Sequence, residues 1–150
     1  MTSDNHLDVN RVDVTHILKA QAKYLLTQHI DYYLIAGDTF NDFEKTQKFV
    51  AALRQAVDHR VSIYFIAGNH EMVQPLSYPA LQQAITPAYL HQKFVDVPQT
   101  NYRIIGNNGW YDFSFANRFN QFKGKTPLDF ARWRNAYWID GGIQDLKSVV

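Results

Sequence analysis

Apolar residues follow two different periods in the first half of the chain. Over residues 12–30 they recur at steps of three and four, which is the pattern of an amphipathic helix. Residues 32–36 form a short, continuously apolar run, typical of a strand covered on both faces. The helical spacing returns over 43–59, and a second apolar run follows at 61–67. This alternation predicts parallel strands joined by right-handed helical crossovers in an α/β fold.

The pattern after residue 75 predicts shorter elements. Residues 77–85 have the spacing of a short helix, and residues 102–106 have the composition of a strand. A further helix is expected over 127–139, beginning at Pro127, because proline is favoured in the first helical turn. No internal repeat and no domain boundary is visible, so the pattern predicts a single domain over residues 1–150.

Composition and charge exclude several classes of protein. With 46% hydrophobic and 15% aromatic residues, the chain is not intrinsically disordered. A net charge of +1 provides no overall attraction to nucleic acid or membranes. The absence of cysteine excludes disulfides, thiolate zinc sites and cysteine nucleophiles. Because no apolar stretch approaches the roughly 20 residues of a membrane span and no signal pattern opens the chain, we expect a cytoplasmic protein without membrane contact.

Polar clusters follow both predicted strands, and a third lies near the amino terminus. Gly37 and Asp38 come after the first strand, the sequence GNHE at 68–71 comes after the second, and SDNHLD occupies 3–8. Ligands of open α/β sheets bind beyond the carboxyl ends of parallel strands, so we expect the two strand-end loops to lie side by side. Carboxylate, amide oxygen and imidazole together suit manganese, iron or zinc.

Each cluster taken alone has an ordinary structural interpretation. A Gly-Asp pair is more often a simple turn, and the cluster at 3–8 is more often a solvated tail or a helix start. His70 alone is more often a surface residue than a catalyst. The combination favours a functional site, because three such clusters recur in order at intervals of about one strand–helix unit.

The three blocks, D-x-H at 4–6, G-D-x-x-N at 37–41 and G-N-H-E at 68–71, resemble the amino-terminal motifs of the calcineurin-like metallophosphoesterases. The resemblance implies an α-β-β-α sandwich of two mixed sheets with a dinuclear metal centre at the carboxyl ends of the strands. It implies these roles: metal ligands Asp4, His6, Asp38 (shared by both ions) and Asn69, catalytic His70 beside the phosphoester, and supporting residues Asn41 and Glu71.

The chain departs from the family pattern at both ends. Only Met1, Thr2 and Ser3 precede Asp4, too few for the strand that normally leads into this block, and no Gly-His-x-His block occurs. The resemblance therefore implies an incomplete domain, without the usual first strand and carboxyl-terminal half. We expect weakened metal binding, and self-association through an exposed sheet edge. His91 is interpreted as structural.

Two functional hypotheses remain open. The first is a hydrolase, a phosphatase or phosphodiesterase, that uses two divalent metal ions to activate water against a small-molecule or macromolecular phosphoester, with nucleic acid only as a substrate. The second is a non-catalytic remnant or interaction module that keeps the fold and weak metal binding. The aromatic segment 107–122 fits a substrate-facing loop and a core segment equally well.

Overall fold

The computed structural model describes residues 1–72, 80–81, 86–109 and 118. Its elements are helices α1 (Val14–Thr27) and α2 (Phe43–Ala56), strands β1 (Tyr32–Ala36), β2 (Ser62–Ile66), β3 (Lys93–Asp96) and β4 (Arg103–Gly106), and a 3-10 turn at His70–Met72. All of these lie in the compact unit Met1–Asn108; a second unit, Gly109–Val150, is described only at Gly109 and Arg118. The helix predicted over 127–139, most of that over 77–85 and most of segment 107–122 lie outside the described residues.

Strands β1 and β2 form a parallel pair, which confirms the prediction from the apolar runs. Tyr32 lies opposite Ser62 and Ala36 opposite Ile66, so the two strands end level with each other. Helix α2 makes the connection between them. It begins directly after Asp42, whose side chain accepts a hydrogen bond from the backbone N–H of Lys45 at 3.0 Å. The level strand ends place the two polar loops at the same edge of the sheet.

The first three residues lie beside β1, although they are too few to form a strand. The backbone N–H of Thr2 donates to the carbonyl of Leu34 at 2.9 Å, and that of Ala36 donates to the carbonyl of Thr2 at 2.8 Å. These two bonds form a single parallel bridge between Thr2 and Ile35. The bridge fixes the direction in which the amino-terminal block passes the end of β1.

The core contains alternate residues of the parallel strands and the apolar faces of the helices. Ile35, Ile63 and Phe65 are at most 2% exposed, and Leu25 of α1 and Leu53 of α2 belong to the same buried cluster. Burial of one such side chain contributes roughly 1.5–3 kcal/mol to the free energy of unfolding. This core holds the strand ends, and therefore the loops that follow them, in fixed positions.

Strands β3 and β4 form a separate antiparallel pair, in which Lys93 lies opposite Gly106. The segment 93–96 was not predicted as a strand, because its four residues combine two charges with two apolar side chains and have no distinctive period. The described residues thus form a mixed α/β fold with a small parallel sheet. The complete two-sheet sandwich implied by the resemblance stays a prediction. Within the described part of the chain, no helix has the length and apolarity needed to cross a bilayer.

Candidate metal centre

The loops after β1 and β2 touch each other through two glycines. Gly37 has a φ of 80°, and a Cβ atom on it would lie 2.5 Å from the backbone nitrogen of Gly68. A Cβ atom on Gly68 would overlap the carboxylate oxygen Oδ1 of Asp38. Both positions therefore require glycine, one for its left-handed conformation and close approach, the other for close approach alone. The contact brings Asp38 against the loop that carries His70.

The amino-terminal block lies along the loop after β1 and is held there by backbone hydrogen bonds. The N–H of Asp4 donates to the carbonyl of Gly37 at 3.2 Å, and that of His6 donates to the carbonyl of Asp38 at 2.9 Å. Asp4, His6 and Asp38 have left-handed φ angles of 57°, 43° and 58°. Aspartate and histidine adopt this region more often than most residues other than glycine, so the chain can turn here without glycine.

Three side chains of metal-ligating types converge where these segments meet. One ligand atom from each of His6, Asp38 and His70 lies within 4.8 Å of the others, and we call this group the triad cluster. The ring centroids of His6 and His70 are 4.3 Å apart, with the ring planes at 70°. His6 Nδ1 is buried and, among the described residues, has no hydrogen-bond partner. A buried nitrogen without a partner beside a carboxylate and a second imidazole is a donor set that fits a divalent cation.

The other two predicted ligands, Asp4 and Asn69, are not among the three residues of the triad cluster. Asp4 Oδ1 is 3.8 Å from Nε2 of His6, but the Asp4 side chain is 67% exposed and does not belong to the cluster. Asn69 is partly buried on the loop between Gly68 and His70. The structure thus brings His6, Asp38 and His70 together and places Asp4 beside His6, while the metal-binding roles of Asp4 and Asn69 stay predictions.

The His70 ring is oriented by Asn41. The ring nitrogen Nδ1 lies 2.6 Å from the Asn41 side-chain oxygen Oδ1, and the backbone N–H of His70 donates to Asp38 Oδ1 at 3.0 Å. Because an amide oxygen can only accept, Nδ1 carries the proton in this pair. Nε2 of His70 is then the ring atom available to a ligand.

Glu71 binds the loop after β1 through a completely buried carboxylate. The side chain is 0% exposed. Its oxygens accept hydrogen bonds from the backbone N–H groups of Asp38, Thr39, Phe40 and Gly68 and from the hydroxyl of Thr46, at 2.7–3.3 Å. Because both oxygens are directed at this loop, Glu71 is placed to position Asp38 rather than to bind a cation itself.

A second network of buried polar groups supports the loop after β2. The Asn108 side-chain oxygen accepts from the N–H of Ala67 at 3.0 Å, and its amide group donates to the Tyr89 hydroxyl at 2.6 Å. Burial raises the pKa of Tyr89 to about 12 and lowers the pKa of His91. His91 Nδ1 accepts from the N–H of Asn108 at 3.0 Å. His91 is therefore held by a hydrogen bond within the fold. Nothing in the sequence indicated Asn108, because its hydrogen-bond partners are distant in the chain.

Sequence reasoning also missed Asp8. Its carboxylate oxygen Oδ2 accepts from the backbone N–H of Asn41 at 2.9 Å, across 33 positions of the chain. The available signal was the alternation of Asp4, His6 and Asp8, which places polar side chains at every second position. That spacing continues the first block by one step, and it would have extended the candidate site to Asp8.

Comparison with known proteins agrees with the geometry. A family model for the calcineurin-like phosphoesterases matches residues 1–145 of this 150-residue chain. Neither the curated proteins nor the solved structures contained a match.

Proposed function

Because the chain belongs to the calcineurin-like phosphoesterase family, we propose that it is a metal-dependent phosphoester hydrolase, a phosphatase or phosphodiesterase. The observation that carries this proposal is the convergence of His6, Asp38 and His70 at the ends of adjacent parallel strands. A small-molecule or macromolecular phosphoester as substrate and a cytoplasmic location are parts of the same proposal.

In this proposal, Asp4, His6, Asp38 and Asn69 would hold two divalent cations, manganese, iron or zinc, and Asp38 would serve both. The buried, unpartnered Nδ1 of His6 and its proximity to the Asp38 carboxylate support the assignment. When bound, such cations supply an activated water and neutralise charge on the phosphoryl oxygens. The loop bonds from Glu71 keep the Asp38 backbone fixed while the ions bind.

His70 acts as the general acid. Asn41 accepts from Nδ1–H of the ring, so the imidazolium form of His70, which carries a second proton on Nε2, delivers that Nε2 proton to the departing alkoxide oxygen and is left as the neutral Nδ1–H tautomer. The hydrogen bond from the His70 backbone to Asp38 keeps the acid at a constant position relative to the shared carboxylate. This division assigns metal binding to His6 and Asp38 and proton transfer to His70.

A non-catalytic remnant with weak metal binding is the competing proposal. The exposure of Asp4 and its position outside the triad cluster favour it, because a cation held by fewer groups is bound more weakly. Self-association through a sheet edge also stays a prediction, and sedimentation velocity of the purified chain measures it.

The two proposals separate on hydrolysis of a chromogenic phosphodiester with added manganese. We compare the wild type with Asp38→Asn, because asparagine tolerates the left-handed φ and its amide oxygen can still accept from His70. Asp96→Ala, which removes an exposed carboxylate paired with Arg103 on β4, is the control for loss of charge. If the hydrolase proposal is right, Asp38→Asn should hydrolyse the substrate more slowly than both the wild type and Asp96→Ala. Equal rates in all three proteins would contradict it and support the non-catalytic remnant.

A further inference from the structure

A carboxylate outside the three motifs ties the amino-terminal segment to the loop that precedes α2. Asp8 Oδ2 accepts from the backbone N–H of Asn41 at 2.9 Å, and Asp8 Oδ1 accepts from the N–H of Val9 at 2.9 Å. The backbone N–H of Leu7 donates to the carbonyl of Thr39 at 2.9 Å just before this point. Asp8 therefore extends the backbone contact between the two segments by a side chain that reaches Asn41 itself.

Asn41 is hydrogen-bonded both to this carboxylate and to the His70 ring. Its backbone N–H is bound by Asp8, and its side-chain oxygen is 2.6 Å from Nδ1 of His70. On the other side, Asp42 caps α2 by accepting from Lys45. The Asn41 backbone is thus restrained from both directions, and that restraint sets the direction in which its side chain leaves the loop.

We propose that Asp8 is a positioning residue for His70, acting through Asn41. The predicted effect on the orientation of the His70 ring rests only on the two hydrogen bonds. The predicted effect on the hydrolysis rate also rests on the proposed hydrolase function. Without Asp8, the Asn41 backbone loses its charged acceptor, and the Asn41 oxygen no longer stays against Nδ1. The His70 ring then loses the partner that selects its Nδ1–H tautomer.

NMR of the ring nitrogens in the full-length, metal-free protein tests the positioning role directly. In protein labelled with ¹⁵N at histidine and held at mildly basic pH, we expect wild-type His70 to give the signature of a single Nδ1–H tautomer. Asp8→Ala should shift His70 toward the Nε2–H tautomer that free imidazole side chains prefer. Asp8→Asn should restore the wild-type signature, because its amide oxygen can accept from the Asn41 N–H.

Asp13→Ala is the matched control. Asp13 accepts one backbone N–H, from His16 at the start of α1, so its loss removes a carboxylate–backbone hydrogen bond that does not involve Asn41. If Asp8→Ala does not fold, we use Asp8→Ser instead. The serine hydroxyl can still accept from the N–H of Val9, but its side chain is too short to reach the N–H of Asn41. A His70 signature unchanged by the folded Asp8 variant, or changed equally by Asp13→Ala, overturns the proposal.

Rates of phosphodiester hydrolysis provide the second measurement. We expect Asp8→Ala to lower kcat about 10-fold, the scale of outer partners of catalytic groups, with KM unchanged and with recovery in Asp8→Asn. If the wild type does not hydrolyse the phosphodiester, the proposed function is wrong. The NMR measurement of the His70 tautomer would still test the positioning role of Asp8. A lowered kcat with an unchanged tautomer contradicts the route through Asn41.

Discussion

The carboxylate oxygen Oδ1 of Asp38 accepts a hydrogen bond from the backbone N–H of His70 at 3.0 Å, and this bond joins the turns that follow β1 and β2. The two residues are 32 positions apart in sequence. Their contact depends on the level ends of the parallel strands and on two glycines that admit no side chain between the loops. Different substitutions at this junction should therefore affect metal binding, proton transfer and stability to different extents.

Removal of either clustered imidazole should produce a different defect. We expect His6→Ala to lose metal affinity, because it removes the buried Nδ1 that has no protein partner among the described residues. His70→Ala should retain most of the metal and lose roughly 10²–10⁴-fold in kcat, the usual contribution of a general acid. Metal analysis after dialysis, combined with hydrolysis rates, measures both effects. His16→Ala, on the exposed side of α1, should behave as wild type; equal metal loss in the His6 and His70 variants would contradict the division of roles.

Glu71→Gln should destabilise the protein. The amide group of glutamine would turn at least one N–H toward backbone N–H groups that now donate to the carboxylate. Loss of hydrogen bonds to a buried charged acceptor costs on the order of 1.5–3 kcal/mol or more in the free energy of unfolding. Urea unfolding measures this loss. The control Glu44→Gln, which removes an exposed carboxylate paired with Lys48 in the first turn of α2, should unfold at nearly the same urea concentration as the wild type.

Gly68→Ala should disturb the same junction by overlap rather than by loss of a bond. The added methyl group would meet the Asp38 carboxylate, and overpacking of this kind costs roughly 1–3 kcal/mol. A double-mutant cycle with Asp38→Ala checks the cause by urea unfolding. If the carboxylate is the obstacle, Gly68→Ala should cost less in the Asp38→Ala background, and equal costs in both backgrounds would point to the backbone instead.

Stability should fall as the pH drops below about 6.5, partly because of His91. Burial lowers the pKa of this imidazole from its ordinary value of 6.5. The unfolded chain therefore takes up a proton at a higher pH than the folded protein does. The stability that His91 contributes is complete above the unfolded pKa and is lost as the pH falls toward the folded pKa.

Urea unfolding of His91→Asn across this pH range isolates that contribution. The asparagine oxygen can replace Nδ1 as the acceptor for the Asn108 N–H but does not titrate. The variant should show a flatter decline below pH 6.5 than the wild type. A decline as steep in His91→Asn as in the wild type would assign the pH effect to other groups.

Much of the fold followed from local patterns. The helices expected over 12–30 and 43–59 are Val14–Thr27 and Phe43–Ala56 in the structure. Both are shorter at their ends because the chain turns before each following strand, and the first also starts later because Asp13 caps it. Both apolar runs became paired parallel strands. The short segment β3 escaped prediction because four residues provide too little periodicity to distinguish a strand from a loop.

The sequence by itself determined which segments carry the candidate site residues, because the spacing of the three polar blocks is a local property of the chain. It also determined the parallel pair, since continuous apolar runs separated by a helix have few other ways to be buried. Only the tertiary structure decided that His6 and His70 touch, that Asp4 remains exposed, and that Asp8 reaches Asn41. These contacts depend on strand register and on the bridge at Thr2, which bring together residues about 30 or more positions apart that no local pattern connects.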